Sequence, residues 1–196
     1  PAYNVQIAVE NYFIIHGYVS NDRTDYNTLI PVLEKHFTAF DEKLKEVTAD
    51  SGYCSEKNLL FLKKHNIDSY IKLQDHEKRK TRAYKEDISK YYNMTSHIFE
   101  DEHYYICHDG RELRHINTET KKQNGYTQTY EVYGCADCSG CEHKAKCLYK
   151  YNPEKDVDKN KTMKINEQWE ELKSKSHANI ESEKGILNRQ IRSIQT

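Results

Sequence analysis

The chain has 196 residues, of which 36% are apolar and 31% are charged. Because domains commonly contain about 100–200 residues, this length fits one domain or one domain with an elaborated insertion. Sixteen tyrosines and only three prolines argue against a disordered linker, since tyrosine supplies area that can be buried. No apolar run approaches the roughly 18 residues of a membrane span, so no membrane segment is predicted. The net charge of −1 means that any nucleic-acid surface must come from local patches.

The first 73 residues carry the periodicities of strands and helices. Apolar and polar residues alternate over 3–10, the pattern of a half-buried strand, and a second apolar run follows closely enough to form a hairpin. The predicted elements are, in order, strands over 3–10 and 13–19, a helix capped by Asp25, a strand over 46–49, a helix capped by Ser55, and a strand over 68–73. This order predicts an α/β fold with a crossover connection.

The character of the chain changes after Leu73. Residues 74–90 are polar and largely basic, and short strands follow, with Asp109-Gly110 as a strong hairpin signal. Helical spacing returns at Ile165, Trp169, Leu172 and Ile180. We therefore predict a core over 1–73, a basic linker and cysteine-rich β insertion over 74–160, and a helical part over 161–196 that returns to the core.

Four of the six cysteines are crowded into residues 135–147, a spacing typical of metal ligation in a reducing compartment. A structural Zn²⁺ site needs four ligands, and its metal would hold together a small β-ribbon that buries little surface. The favoured set is Cys107, Cys138, Cys141 and Cys147, with Cys135 as a spare and His108 or His143 as substitutes. Free thiols or disulfides are the alternative.

Asp50 stands where a predicted strand ends and a turn through Gly52 begins. Ligands of open α/β sheets bind at this edge, and a carboxylate there can hold Mg²⁺. An aspartate at a strand end also commonly serves as a turn or cap residue. The position alone leaves both interpretations open.

Several stretches occur together, in one order, in a known family. They are residues 1–6, residues 21–25, Ala49-Asp50-Ser51-Gly52-Tyr53 with Asn58, Cys107 with the cysteine cluster, and Arg192-Ser193-Ile194-Gln195. In these stretches the chain resembles bacterial insertion-sequence transposases of the DDE type, in the group that carries a cysteine-rich insertion. The resemblance covers essentially the whole chain.

The resemblance implies a ribonuclease H-like mixed sheet with helices, interrupted by a zinc-ribbon-like β insertion. It also implies DNA transposition by phosphodiester cleavage and strand transfer, with three carboxylates holding Mg²⁺ or Mn²⁺. Asp50 matches the second carboxylate. The first belongs on a strand just before Tyr3 and the third directly after residue 196, so this chain is expected to be an inactive fragment.

DNA, both transposon ends and target, is the partner that the resemblance implies. Seven basic residues are candidates for contacting it: Lys78, Arg79, Lys80, Arg82, Lys85, Arg189 and Arg192. For residues 78–85 the alternative is a solvated polar loop. We expect the intact protein to be a homo-oligomer associated with the nucleoid in the bacterial cytoplasm. The alternative function is a non-catalytic, zinc-stapled module that binds DNA or protein.

Overall fold

The computed structural model describes residues 2–41, 43–123 and 125–195, which form two compact units. The first unit comprises residues 1–76 and 169–196, and the second comprises residues 77–168. The chain therefore leaves the first unit after His76 and re-enters it at Trp169. The three-part division after residues 73 and 160 stays a prediction. No helix in the described ranges is long and apolar enough to cross a membrane.

Nine strands and six helices are formed by the described residues. The strands are β1 Asn4–Glu10, β2 Phe13–Ser20, β3 Glu46–Ala49, β4 Asp68–Ile71, β5 Thr95–Phe99, β6 Glu102–Ile106, β7 Glu112–Gln123, β8 Tyr126–Cys135 and β9 Thr162–Ile165. The helices are α1 Leu29–Ala39, α2 Glu56–Lys64, α3 Arg82–Lys85, α4 Lys144–Cys147, α5 Glu167–Glu181 and α6 Glu183–Gln195. This mixed composition confirms the predicted α/β class.

The first unit contains two small sheets. β1 and β2 form an antiparallel hairpin, and β3 and β4 pair in parallel through the crossover helix α2. The Ser55 hydroxyl accepts a hydrogen bond from the Asn58 amide, so the predicted cap of α2 is confirmed. The buried side of this unit is formed by Leu29, Leu33, Cys54, Leu59, Leu62, Ile67, Ile71, Leu73 and Leu172.

Two local predictions for the first unit are wrong. Asp25 does not cap α1: the helix begins after Thr28, and the Asp25 carboxylate accepts hydrogen bonds from Asn4 and Gln6. β1 forms as predicted, but its apolar side is the exposed one, with Ile7 58% exposed and Gln6 only 6%. The hydrogen bonds to Asp25 explain this, because they offset the cost of burying the Gln6 amide.

The second unit is a five-stranded antiparallel sheet in the order β5-β6-β7-β8-β9. The predicted hairpin at Asp109-Gly110 is confirmed: Gly110 has φ +76° and the Cys107 amide donates to the Arg111 carbonyl. Ile165 was predicted to be helical, and this is wrong. It pairs with Glu131 as the last residue of β9, where Met163 and Ile165 alternate into the core, and α5 begins at Glu167.

Candidate active site

Asp50 immediately follows β3, at the carboxyl end of the parallel pair. Its carbonyl accepts a hydrogen bond from the Tyr53 amide, which closes a short 3₁₀ turn over Ser51–Tyr53. The carboxylate forms no cap hydrogen bond with this turn. The side chain is 62% exposed and therefore remains accessible to a ligand or a charged partner.

The charged partner of Asp50 is Arg192, on the last turn of α6. One guanidinium nitrogen, Nη2, donates to Asp50 Oδ2 across 2.6 Å. The sequence predicted both residues as functional and assigned Arg192 to DNA, whereas the structure brings the two together. A metal ion at Asp50 would have to compete with this guanidinium, since both favour the same carboxylate oxygens.

A second carboxylate, Asp25, lies beside the turn that follows Asp50. Gly52 permits this approach, because a Cβ at this position would lie 2.8 Å from Asp25 Oδ2. Burial first, and then the neighbouring carboxylates of Asp25 and Asp50, raise the pKa of Tyr53 to about 12, while Arg192 acts to lower it. Sequence reasoning assigned Asp25 to a helix cap and missed its place here.

A cavity of about 430 Å³ lies next to Asp50. Its lining contains residues 6–10 of β1 and 46–49 of β3, each with the residue that follows the strand, together with side chains of α1 and α6. In the described chain, β1 pairs with β2 and β3 pairs with β4, in separate two-stranded sheets. Each of the two strands therefore has an edge without a strand partner, and both strands border the same cavity.

The carboxylate of Asp50, which lines this cavity, and that of Asp25 beside the following turn suit a hard divalent cation, which prefers carboxylate oxygens and keeps several waters. Asp50 offers an exposed carboxylate, and Asp25 lies close enough to influence the same tyrosine. A two-metal centre requires more carboxylates than these residues supply. The residues present therefore fit part of such a centre.

The hairpin that carries Cys107 meets the loop of the cysteine cluster at one end of the second unit's sheet. Leu113 pairs with Cys135 across β7 and β8, and Arg111 Nη1 donates to the Asp137 carbonyl at 2.8 Å. The rings of His108 and His143 lie 4.7 Å apart, centroid to centroid. All six cysteines of the described chain are free thiols.

The thiols of Cys107 and of the cysteine cluster lie close enough together to influence one another's pKa. Burial raises the pKa of the Cys147 thiol, Lys161 lowers it, and the nearby Cys107, Cys138 and Cys141 raise it again. Among the described residues, the group of potential metal ligands whose ligand atoms all lie within 4.8 Å of one another consists of His76, His177 and Glu181. It contains no cysteine. The zinc ligand set therefore stays a prediction.

Cys135 and Cys138 differ in their hydrogen bonds. Cys135 Sγ donates to the Asp137 carbonyl at 3.2 Å, which requires the protonated thiol. Burial first and then contact with Cys138 raise the pKa of Cys135 to about 11. Cys138 Sγ instead accepts from the Lys161 amide at 3.4 Å, a role that suits a metal-bound thiolate. This contrast is consistent with Cys135 as the spare cysteine.

The basic residues over 78–85 occupy a 3₁₀ turn and the short helix α3. Lys78, Lys80, Arg82 and Lys85 are exposed, whereas Arg79 is half-buried with its guanidinium 5.8 Å from the centroid of the Tyr84 ring. Lys80 pairs with Glu77 at 3.5 Å and Arg82 pairs with Glu86 at 2.8 Å, which partly neutralises this patch. Arg189 lies one helical turn before Arg192 on α6.

Residues 106–196 match the family model described as "Transposase DDE domain". This confirms the resemblance to DDE-type transposases that the sequence motifs indicated. The matched region contains the cysteines from Cys107 to Cys147 and the arginines of α6, while Asp50 lies outside it. Comparison with curated proteins and with solved structures gives no match.

Proposed function

Taking residues 106–196 as part of a transposase DDE domain, we propose that the protein acts in DNA transposition, by metal-dependent phosphodiester cleavage followed by strand transfer. Asp50 is the residue of this chain that would hold the divalent metal ion. DNA is the expected substrate, at transposon ends and at the target. Association with the nucleoid and assembly into a homo-oligomer remain expectations from the resemblance.

The observation that carries the proposal is the position of Asp50 beside the cavity between β1 and β3. An extended segment in this cavity would find backbone groups of two open strand edges to pair with. Such a strand would join the two small sheets into one. The resemblance expects the first catalytic aspartate on a strand that precedes Tyr3, and this cavity would bring such a strand next to Asp50.

Two Mg²⁺ or Mn²⁺ ions held by Asp50 and the other two expected carboxylates would activate the attacking oxygen and stabilise the leaving oxygen of the phosphodiester. Asp50 supplies a carboxylate oxygen for binding these ions. Arg192 has a different role, because its guanidinium neutralises Asp50 when no ion is bound. Once released, it would lie where a scissile phosphate could accept hydrogen bonds from it.

A DNA-nicking assay with Mg²⁺ and Mn²⁺ tests this function on the protein extended through its native flanking sequence. Asp50→Asn should lower the nicking rate by a factor on the order of 100 or more, since the metal contributes several kcal/mol of charge stabilisation. Asp68→Asn, at the exposed start of β4, is the matched control and should leave the rate unchanged. Equal rates for Asp50→Asn and the unaltered protein would remove Asp50 from the mechanism.

The same assay separates the alternative, a zinc-stapled binding module. Five cysteines lie together at one end of the second unit's sheet. This arrangement supports the alternative function and does not depend on Asp50. If the extended protein binds DNA but nicks none with either metal, the binding module is the better description. We expect the 196-residue chain alone to bind DNA without nicking it, because the resemblance requires two further catalytic carboxylates besides Asp50.

A further inference from the structure

Three potential metal ligands converge in the first unit, away from Asp50 and from the cysteines. His177 and Glu181 stand four residues apart on α5, so they lie on one face of the helix. His76 follows β4, and its ring lies 5.4 Å from the ring of His177, centroid to centroid. His76 Nε2 is 3.2 Å from Glu181 Oε1, and one ligand atom from each residue lies within 4.8 Å of the others.

The backbone holds these three residues in place. Ser176, beside His177, donates from its buried hydroxyl to the Ile71 carbonyl at 2.8 Å. Asn179 donates from its side chain to the Ser69 carbonyl at 3.1 Å, so α5 is fastened to β4 on both sides of His177. His76 is only 2% exposed, and its amide closes a turn onto Leu73. The imidazole of His76 is therefore fixed before any ligand arrives.

The donor set determines the class of cation. Two imidazoles and one carboxylate suit Zn²⁺ and similar borderline transition metals, whereas Mg²⁺ favours oxygen ligands alone. In a tetrahedral zinc site with bonds of about 2.0–2.1 Å, the ligand atoms lie about 3.4 Å apart. The His76–Glu181 pair is already at that spacing, and the other ligand-atom separations, which do not exceed 4.8 Å, would have to shorten by about 1.4 Å at most. Glu181 is half-exposed, so solvent can supply the fourth ligand.

We propose that His76, His177 and Glu181 form a Zn²⁺ site that fastens α5 to the turn that follows β4. His76 is the last residue of the first unit before the chain departs into residues 77–168. A bound ion would therefore secure the point at which the chain leaves this unit. The inference does not depend on the proposed nuclease activity, because none of the three residues lines the cavity beside Asp50.

The test is a titration of the metal-free 196-residue chain with Zn²⁺ alone, followed by calorimetry and by the thermal midpoint of unfolding. The unaltered chain should bind about one more equivalent of Zn²⁺ than the His177→Ala variant. Zn²⁺ should also raise the thermal midpoint of the unaltered chain by more than it raises that of the variant. Glu181→Gln, which keeps the shape of the side chain, should weaken binding at the same site. The matched control is Glu171→Gln on the same helix, whose exposed pair with Lys63 lies outside the site.

Cobalt(II) distinguishes this site from the cysteines, since only thiolate ligation produces sulfur-to-metal charge-transfer absorption. The His177→Ala variant should lose the part of the Co²⁺ absorption spectrum that contains no sulfur charge transfer. It should retain the charge-transfer absorption of the thiolate site. Far-UV circular dichroism verifies that each variant folds, and Glu181→Gln provides the comparison if His177→Ala does not. Identical Zn²⁺ stoichiometry and affinity in the unaltered chain and in the folded site variants would overturn the proposal, leaving a hydrogen-bonded His–Glu pair.

Discussion

Arg192 Nη2 lies 2.6 Å from Asp50 Oδ2, and this contact joins α6 to the carboxyl end of β3. The two residues lie 142 positions apart in the chain, and both line the cavity between β1 and β3. The resemblance marked each of them separately, but no local pattern indicates that they pair. The positive charge of the Arg192 guanidinium therefore balances the negative charge of the Asp50 carboxylate before any metal ion binds.

Removing this ion pair should have little effect on stability. The side chains of Arg192 and Asp50 are 37% and 62% exposed, so water already screens much of their attraction. We expect Arg192→Gln to change the free energy of unfolding by less than about 1 kcal/mol in urea titrations. Arg189→Gln, one turn earlier on the same helix, is the control. A loss of several kcal/mol would show that Arg192 has a structural role.

The junction between α5 and α6 should be far more sensitive. A Cβ at Gly185 would lie 2.1 Å from the Asn179 carbonyl oxygen and 2.8 Å from that of Ile180, both of which are backbone atoms. Gly185→Ala should therefore lower the free energy of unfolding by about 1–3 kcal/mol. Gly17→Ala is the matched control, because nothing lies within 4 Å of its added Cβ. Equal stability of the two variants would contradict this close packing.

Tyr53 should make stability depend on alkaline pH. Burial and then Asp25 and Asp50 raise the pKa of Tyr53 from its ordinary value of 10.0 to about 12. The unfolded chain therefore loses this proton first, so the stabilisation is complete below about pH 10 and disappears as the pH rises towards 12. Tyr53→Phe should flatten the pH dependence of unfolding in this interval. Tyr149→Phe, which removes an exposed phenol from the second unit, is the control.

Neutralising a carboxylate gives a second measurement of the same effect. Asp50→Asn removes one of the charges that raise the Tyr53 pKa, and it should therefore lower that pKa. The Tyr53 pKa in this background is measured by spectrophotometric titration of the phenols. The curve of the Asp50→Asn, Tyr53→Phe double variant is subtracted from that of Asp50→Asn. An unchanged Tyr53 pKa in Asp50→Asn would mean that the carboxylate does not act on this phenol.

Local signals predicted the local structure of this chain well. The Ser55 cap and the Asp109-Gly110 hairpin depend on residues a few positions apart, and both are present. The exposed side of β1 could not be predicted, because it depends on hydrogen bonds from Gln6 to Asp25, beyond the neighbouring hairpin. Ile165 fits helical and strand spacing equally well, and its pairing with Glu131 decides the outcome.

The candidate sites show the same limit. The spacing of the cysteines identified their cluster, because closely spaced ligands leave a pattern in the sequence. His76 was missed, since its partners His177 and Glu181 lie on a distant helix and only the packing of α5 against β4 unites them. Asp25 was missed because an aspartate near a helix start has a ready local explanation as a cap.

The predicted structural zinc site distinguishes between two neighbouring cysteines. Cys138 Sγ accepts a hydrogen bond, as a metal thiolate does, whereas Cys135 Sγ donates one. Cys138→Ser should therefore remove about one equivalent of zinc per chain, and Cys135→Ser should retain it. Zinc is measured after dialysis by atomic absorption, with both variants made in the His177→Ala background so that the other proposed site does not contribute. Equal zinc contents in the two variants would refute this assignment.

The basic residues over 78–85 should contribute a salt-sensitive affinity for DNA. Lys78 and Lys85 are exposed, and each phosphate contact releases counterions from the duplex. Lys78→Ala and Lys85→Ala together should reduce the slope of log affinity against log salt by about 2, roughly one per lysine, with no change in sequence preference. The measurement is fluorescence anisotropy of a mixed-sequence duplex at several salt concentrations.

The matched control for this experiment is Lys121→Ala, an exposed lysine on β7 of the same unit. Lys121→Ala removes the same charge as either single substitution within residues 78–85. If only the net charge of the protein mattered, all of these single variants would therefore show the same change in slope. A slope reduced only by the substitutions at 78 and 85 would place the phosphate contacts there. Identical slopes for all variants would instead mean that residues 78–85 form a solvated loop, because lysines that contact no phosphate release no counterions.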